Sequence, residues 1–251
     1  MRNLWVEKDL EFRADATHGA NVKGPMQEKK RHDFDRFTRP ALDTTNLWTT
    51  YTTGTTGPAT VAISEVQGGS VLITTGTVDD DSVAMSKPVI YSGNKKAACE
   101  WYITITDVSG TGVFLGFSDE KNEANGLLAI GYPADAETAT ATNGVGFVID
   151  ADHATSSIMC CGVKAGTKDT AVDSGTDWAD GETKTLRVEL GGDPEGNNDG
   201  AVFYLDGKVV GFLANAVTAA TLLCPTVQAI TRANDGANTV RVRSYDAWQD
   251  D

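Results

Sequence analysis

The feature that most constrains this chain is its punctuation from residue 43 onward. Short runs rich in β-branched, aromatic and alternating apolar residues are each closed by clusters of Gly, Asn, Asp or Ser. Val61–Val66, Val71–Val78, Pro88–Ser92, Cys99–Asp107, Gly112–Phe117, Leu127–Tyr132, Val145–Asp150, Ser157–Val163, Thr183–Leu190, Ala201–Asp206, Lys208–Ala214, Thr226–Thr231 and Thr239–Trp248 all read as strands. Helical signals are nearly absent, the best being a short turn expected near Asn215–Leu223, ahead of Pro225. Strands at this spacing with no helices between them predict an all-β body of two antiparallel sheets. With 251 residues, the chain is long enough for one large sandwich.

Several runs assign their own faces. In Thr183–Leu190, Leu186, Val188 and Leu190 alternate with Thr185, Arg187 and Glu189, so one side is expected in the core and the other in water. Near the C-terminus, Val240 and Val242 alternate with Arg241, Arg243 and Tyr245, which places Tyr245 on the wet side. Asp206-Gly207 stands between two apolar runs and predicts a tight hairpin whose turn needs positive φ.

Charge divides the chain. Residues 1–42 carry nine Lys/Arg against seven Asp/Glu, whereas residues 43–251 are net −16. Few apolar residues and no sustained period run through His18–His32, so this stretch cannot bury enough surface to fold alone. The expectation is an extended N-terminal docking arm over 1–42 and a sandwich over 43–251. The arm's clustered side chains Leu4, Trp5, Phe12, Arg31, Phe34 and Phe37 are the expected partner-binding residues. The overall charge of −14 argues against direct nucleic-acid binding, which needs a surplus of Lys and Arg. No apolar run has the length of a membrane helix, and Met1–Leu10 holds no signal-peptide core, so neither membrane insertion nor signal-directed export is expected.

Thr185-Leu186-Arg187-Val188-Glu189-Leu190, a polar loop, and Ala201-Val202-Phe203-Tyr204-Leu205-Asp206-Gly207-Lys208-Val209-Val210-Gly211 together resemble the late strands of the concanavalin A-like lectin/laminin G superfamily. Glu100–Thr106, Phe114–Ser118 and Val240–Trp248 fall where that superfamily has its other core strands. The resemblance implies a concanavalin A-like jelly-roll sandwich of two antiparallel sheets. With the N-terminal arm and the Thr-rich start of the body, it is similar to the subset found in head or fibre proteins of tailed phages. The implied function is that of a virion structural protein, a capsid decoration held to capsid or other virion subunits by its arm, with self-association. The alternative is a receptor- or glycan-binding module of a fibre, which would take a host glycan.

Catalytic residues do not assemble from the sequence. Glycosidases of this fold carry carboxylates at alternate positions of one strand. Here Glu100 shares a face with Tyr102 and Thr104, while Asp107 falls on the other side of the pleat with Trp101, Ile103 and Ile105. Asp79-Asp80-Asp81 reads as a solvated turn, and His153, beside Asp150 and Asp152, reads as an ordinary loop residue. No enzymatic activity is expected. Asp193, Glu195, Asn197 and Asp199 alternate in one loop and could supply oxygen ligands to a structural calcium, although the loop fails the EF-hand template. Cys99, Cys160, Cys161 and Cys224 lack zinc spacing and are expected as buried thiols. Trp178 and Tyr132 are candidate sugar platforms that equally suit packing.

Overall fold

The computed structural model describes residues 30–54, 59–64, 68–123, 126–155, 157–191, 197–232 and 236–250. Two antiparallel sheets dominate. The first runs in the order β16 (Lys208–Leu213), β15 (Ala201–Leu205), β14 (Thr183–Leu190), β6 (Ala98–Ile105), β18 (Thr239–Asp250), β4 (Ser70–Thr74) and β3 (Thr60–Ser64). A further strand, β1 (Lys30–Asp35), pairs with the C-terminal half of β18, alongside the half that β4 takes. The second sheet runs β12 (Thr167–Lys168), β11 (Ser157–Lys164), β10 (Gly144–Asp150), β7 (Thr111–Ser118), β17 (Cys224–Thr231), β5 (Ser82–Ser86) and β2 (Thr49–Thr52), with β13 (Val172–Asp177) also on β11. A small hairpin joins β8 (Ile130–Gly131) to β9 (Thr138–Ala139).

Alternation builds the core between the sheets. Trp101, Ile103 and Ile105 of β6 and Leu186, Val188 and Leu190 of β14 point inward, as do Val113, Leu115 and Phe117 of β7 and Val145, Phe147 and Ile149 of β10. Phe147 meets Phe203 edge-on at 5.2 Å, joining the sheets. The second sheet is covered on its other side too. Leu128, Ala129, Ile130, Tyr132 and Ala141, from the connection between β7 and β10, pack on Phe114, Val148, Met159, Cys161, Val163 and Ile230. That double burial explains why β7 and β10 read as nearly continuous apolar runs. It also explains why Leu127–Tyr132 contributes only two residues to a strand: its apolar side chains serve packing. All four cysteines are free and buried. Cys99 and Cys160 lie in the main core, and Cys161 lies in the second one.

The sandwich starts earlier than residue 43. Strand β1 pairs residue by residue with β18, from Lys30 opposite Asp250 to Asp35 opposite Tyr245. Inward-facing carboxylates tie it down. Asp35 accepts from the Phe37 amide at 2.8 Å and Trp48 Nε1 at 3.0 Å, and pairs with Arg39. Asp33 pairs at 2.9 Å with Lys87, whose ammonium is sealed from solvent 4.2 Å from the Trp48 ring centroid and 5.2 Å from that of Tyr245. Phe37, expected as a partner anchor, is 0% exposed against Trp48, so it is a core residue of its own sandwich.

Other strand expectations shift for local reasons. Pro88–Ser92 forms no strand, only an isolated bridge between Tyr91 and Leu223, and the neighbouring strand is the more polar Ser82–Ser86. Val71–Val78 ends at Thr74. The Asn215–Leu223 segment, by contrast, holds turns as read. The Asp206-Gly207 hairpin is as read, with φ of 49° and 78° at its two central residues.

Candidate functional site

The two outer faces of the sandwich differ. That of the second sheet is covered by the chain between β7 and β10, whereas that of the first carries a mixed aromatic and charged surface. Cross-strand register sets Phe34 opposite Asp246, Asp246 opposite Glu100, Glu100 opposite Arg187, and Arg187 opposite Tyr204. Directly opposed residues share a face, so one row crosses five adjacent strands, β1, β18, β6, β14 and β15.

A β-bulge in β18 makes this row. Val240 and Val242 point into the core, and strict alternation would send Ser244 and Asp246 inward after them. The pairing with β6 slips between Val242 and Ser244, so Tyr245 and Ala247 turn inward and Asp246 outward. Tyr245, expected on the wet side, is therefore buried, with Trp101 4.6 Å from its ring and Trp48 5.1 Å away.

The row is electrostatically tight. His32 Nε2 lies 2.5 Å from Asp246 Oδ1, and this hydrogen bond holds the imidazole pKa above its ordinary value. Arg187 Nε is 3.3 Å from Glu189 Oε1, its Nη1 is 4.0 Å from Glu100 Oε2, and the guanidinium sits 4.0 Å above the Tyr204 ring. The Tyr204 hydroxyl donates to Glu189 Oε2 at 3.1 Å. Burial pushes the Glu100 carboxyl up to about 7, with Arg187 pulling it down and Asp246 and Glu189 adding to the rise. Exposed aromatics stand in the row, Phe34 at 61%, and beside it, Tyr102 at 41% and Phe212 at 38%.

Asp107, read as split from Glu100 by the pleat, lies beyond β6, where its carboxylate accepts from Ser109 Oγ at 2.7 Å and from the Ser109 amide at 2.8 Å. Glu100 instead faces Asp246, a pairing hidden in the sequence by a separation of 146 residues and by the bulge. The only sequence sign of that bulge was the run Arg243-Ser244-Tyr245-Asp246, which breaks the Val-x-Val alternation.

The remaining candidates scatter. His153 meets the Tyr132 ring edge at 4.4 Å and hydrogen-bonds locally with Thr155. Its neighbour Asp150 is held in a bidentate pair by Arg232, at 2.9 and 2.8 Å, and Asp80 joins the same guanidinium at 3.1 Å. Trp178 and Tyr132 are buried and present no platform. Of the proposed calcium ligands, Asp193 and Glu195 lie outside the described residues. Asn197 Nδ2 donates to the Ala214 carbonyl. Asp199 takes the Lys164 ammonium at 2.5 Å and the Ala219 amide at 2.7 Å, and the lysine hydrogen bond lowers its pKa. With an ammonium already on that carboxylate, the two described residues do not fit a cation cradle, and among the described residues no cluster of three or more His, Cys, Asp or Glu is arranged to hold a metal. Leu4, Trp5 and Phe12 lie outside the described residues, while Arg31 and Phe34 project from β1.

No protein-family model matches the sequence, and no curated protein matches it. Solved structures do match in fold. The carbohydrate recognition domain of Emp47p superposes with a TM-score of 0.60 at 14% identity, over 89% of this chain and 98% of that one. SCLam, a non-specific endo-β-1,3(4)-glucanase of family GH16, gives 0.58 at 12% identity over 89% and 92%. Peanut lectin gives 0.55 at 10% identity over 87% and 97%. The chain is a concanavalin A-like jelly-roll sandwich, and at these identities the likeness is one of fold, shared by lectins and glucanases alike.

Proposed function

We propose that this chain is a non-catalytic binding module that takes a glycan on the outer face of its first sheet. The observation that carries this reading is the row Phe34, Asp246, Glu100, Arg187 and Tyr204, which has an aromatic ring at each end and carboxylate and guanidinium groups between them. Pyranose rings offer apolar C–H faces to aromatic side chains and hydroxyls to planar charged groups, and this surface provides both side by side. Likeness of fold to the Emp47p domain and peanut lectin supports the reading. Glu100 and Asp246 face each other as a glycosidase pair would, but Asp246 is bonded to His32 and Glu100 lies beside the Arg187 and Glu189 pair. That engagement supports recognition over hydrolysis.

Glycan-array binding by the purified chain, lost on Arg187→Ala, is the expected result. Retention of no glycan would overturn the reading, and turnover of a β-glucan abolished by Glu100→Gln would replace it with a hydrolase.

A second reading concerns attachment. Residues 1–29 carry the clustered Leu4, Trp5 and Phe12 in a segment that joins the sandwich at β1, next to the exposed Arg31 and Phe34. They would hold the module on a larger assembly, and the resemblance noted above suggests a virion surface. Cosedimentation with capsids, lost when residues 1–29 are removed, is the expected outcome, and association that survives the deletion would refute it.

A further inference from the structure

Two arginines on the open face have no acidic partner among the described residues. Arg241 and Arg243 leave β18 on its outer side, at the start of the bulge, and both are half-buried. Arg241 Nη1 donates to Ser70 Oγ at 3.1 Å and Ser64 Oγ at 3.4 Å. Arg243 Nε donates to Thr104 Oγ1 at 3.3 Å, and Thr104 Oγ1 lies 2.7 Å from Thr183 Oγ1. Thr104 is also the cross-strand partner of Arg241, so both arginines flank one hydroxyl.

The other described arginines that lie at least half-buried behave differently. Arg39, Arg187 and Arg232 each meet a carboxylate. Partial burial of a guanidinium is costly unless its charge and its five N–H donors are satisfied, and neutral hydroxyls answer only one nitrogen of each of these two side chains. In a chain of net charge −14, these two guanidinium groups stand without a carboxylate partner among the described residues. Tyr102, 41% exposed, lies two residues from Thr104 on the same face of β6.

We propose that Arg241 and Arg243 bind the carboxylate of an acidic sugar, a uronic-acid residue in an anionic polysaccharide, with Tyr102 as the stacking platform. The inference rests on the glycan reading above and names its ligand class. The planar guanidinium forks match a carboxylate geometrically, the serine and threonine hydroxyls around them suit sugar hydroxyls, and the ring supplies the apolar contact.

The test uses the full chain on an array of oligogalacturonates, their methyl esters, sulfated oligosaccharides and neutral oligosaccharides, with dissociation constants from calorimetry. Methyl esterification removes the charge and keeps the sugar. The free acid should bind at least about tenfold more tightly than the ester, the gap expected for charge-assisted over neutral hydrogen bonds. The double variant Arg241→Gln/Arg243→Gln should erase that preference, and Tyr102→Ala should weaken both forms. Tyr102 is exposed, so its variant, together with the acid-against-ester comparison on the unmodified chain, decides the matter even if the double variant fails to fold.

Equal affinity for acid and ester, or preference for sulfated over carboxylated sugars, overturns this inference and leaves the glycan reading standing. Retention of no glycan overturns both. A dimer that dissociates in the double variant makes a second copy the occupant of the site and also overturns the inference.

Discussion

Removing the carboxylate of Asp33 should destabilise the sandwich far more than removing the lysine it meets. Lys87 is buried between the sheets with its ammonium 2.9 Å from Asp33 Oδ2 and over the Trp48 and Tyr245 rings. Asp33→Ala would leave that cation enclosed beside the Trp48 and Tyr245 rings without its carboxylate. Breaking a fully buried pair in this way costs about 3–5 kcal/mol. The Asp33 side chain is 32% exposed, so water screens the pair and the expected cost falls to about 2–3 kcal/mol. For a chain of this size each kcal/mol moves the melting midpoint by about 2–4 °C, giving a drop of roughly 4–12 °C. Lys87→Met removes the buried charge itself and leaves a carboxylate that water can reach, so its cost should be about 1 kcal/mol or less. The double variant should then resemble Lys87→Met alone, with a coupling of about 2 kcal/mol. Urea unfolding followed by the fluorescence of Trp48 and Trp101 measures all three, and an unchanged m-value secures the comparison. Equal costs for the two single variants, or an Asp33→Ala chain as stable as the parent, would refute the reasoning.

Three further outcomes are expected. Deleting residues 1–29 should leave a folded sandwich, whereas deleting 1–40 should unfold it or lower its melting midpoint sharply, because the longer cut removes β1, Asp35 and the core residue Phe37; similar midpoints for both truncations would count against β1 as an integral strand. Gly207→Val should cost about 1 kcal/mol or more, since residue 207 sits at φ 78° where a β-branched side chain is strained, and an unchanged midpoint would contradict the turn. Burial raises Glu100 and Glu123 to about 7, and the Asp246 hydrogen bond raises His32, so the folded state binds more protons than the unfolded chain between about pH 4.5 and 7. Stability should therefore fall as pH rises from 5 to 8, by up to about 3 kcal/mol for each carboxyl, with Glu100→Gln flattening the profile; midpoints that climb over that range would refute the assignment.

What could be read from the sequence was whatever depends on local alternation. The inner faces of β6 and β14 and the Asp206-Gly207 turn follow from neighbours within a few residues, and the resemblance carried by Thr185–Leu190 and Ala201–Gly211 led to the fold. Polar strands escaped notice. Lys30–Asp35, Thr49–Thr52, Ser82–Ser86 and Val172–Asp177 are strands because a neighbour pairs with them, and their own side chains give little apolar signal. Phe37 read as a tether residue because its partner, Trp48, lies across a polar stretch that hides the contact. The site was the least legible part. Glu100, Asp246, Arg187 and His32 come from four strands, and the phase of Asp246 depends on one extra residue in β18, which no period-2 reading anticipates.

The four buried thiols turn the folded chain into its own reporter. Burial raises the pKa of each, to about 12 for Cys160 and Cys224 and higher for the other two, so both access and thiolate are withheld while the strands stay packed. A maleimide or aromatic disulfide reagent added to the native protein thus labels only molecules that have opened. Cys161 lies under the cover between β7 and β10, and Cys99 and Cys160 lie between the sheets, so the order in which the sulfurs react distinguishes peeling of the cover from separation of the sandwich. The same silence leaves a cysteine introduced at an exposed position such as Lys208 as the single reactive thiol, a ready handle for a dye or a surface.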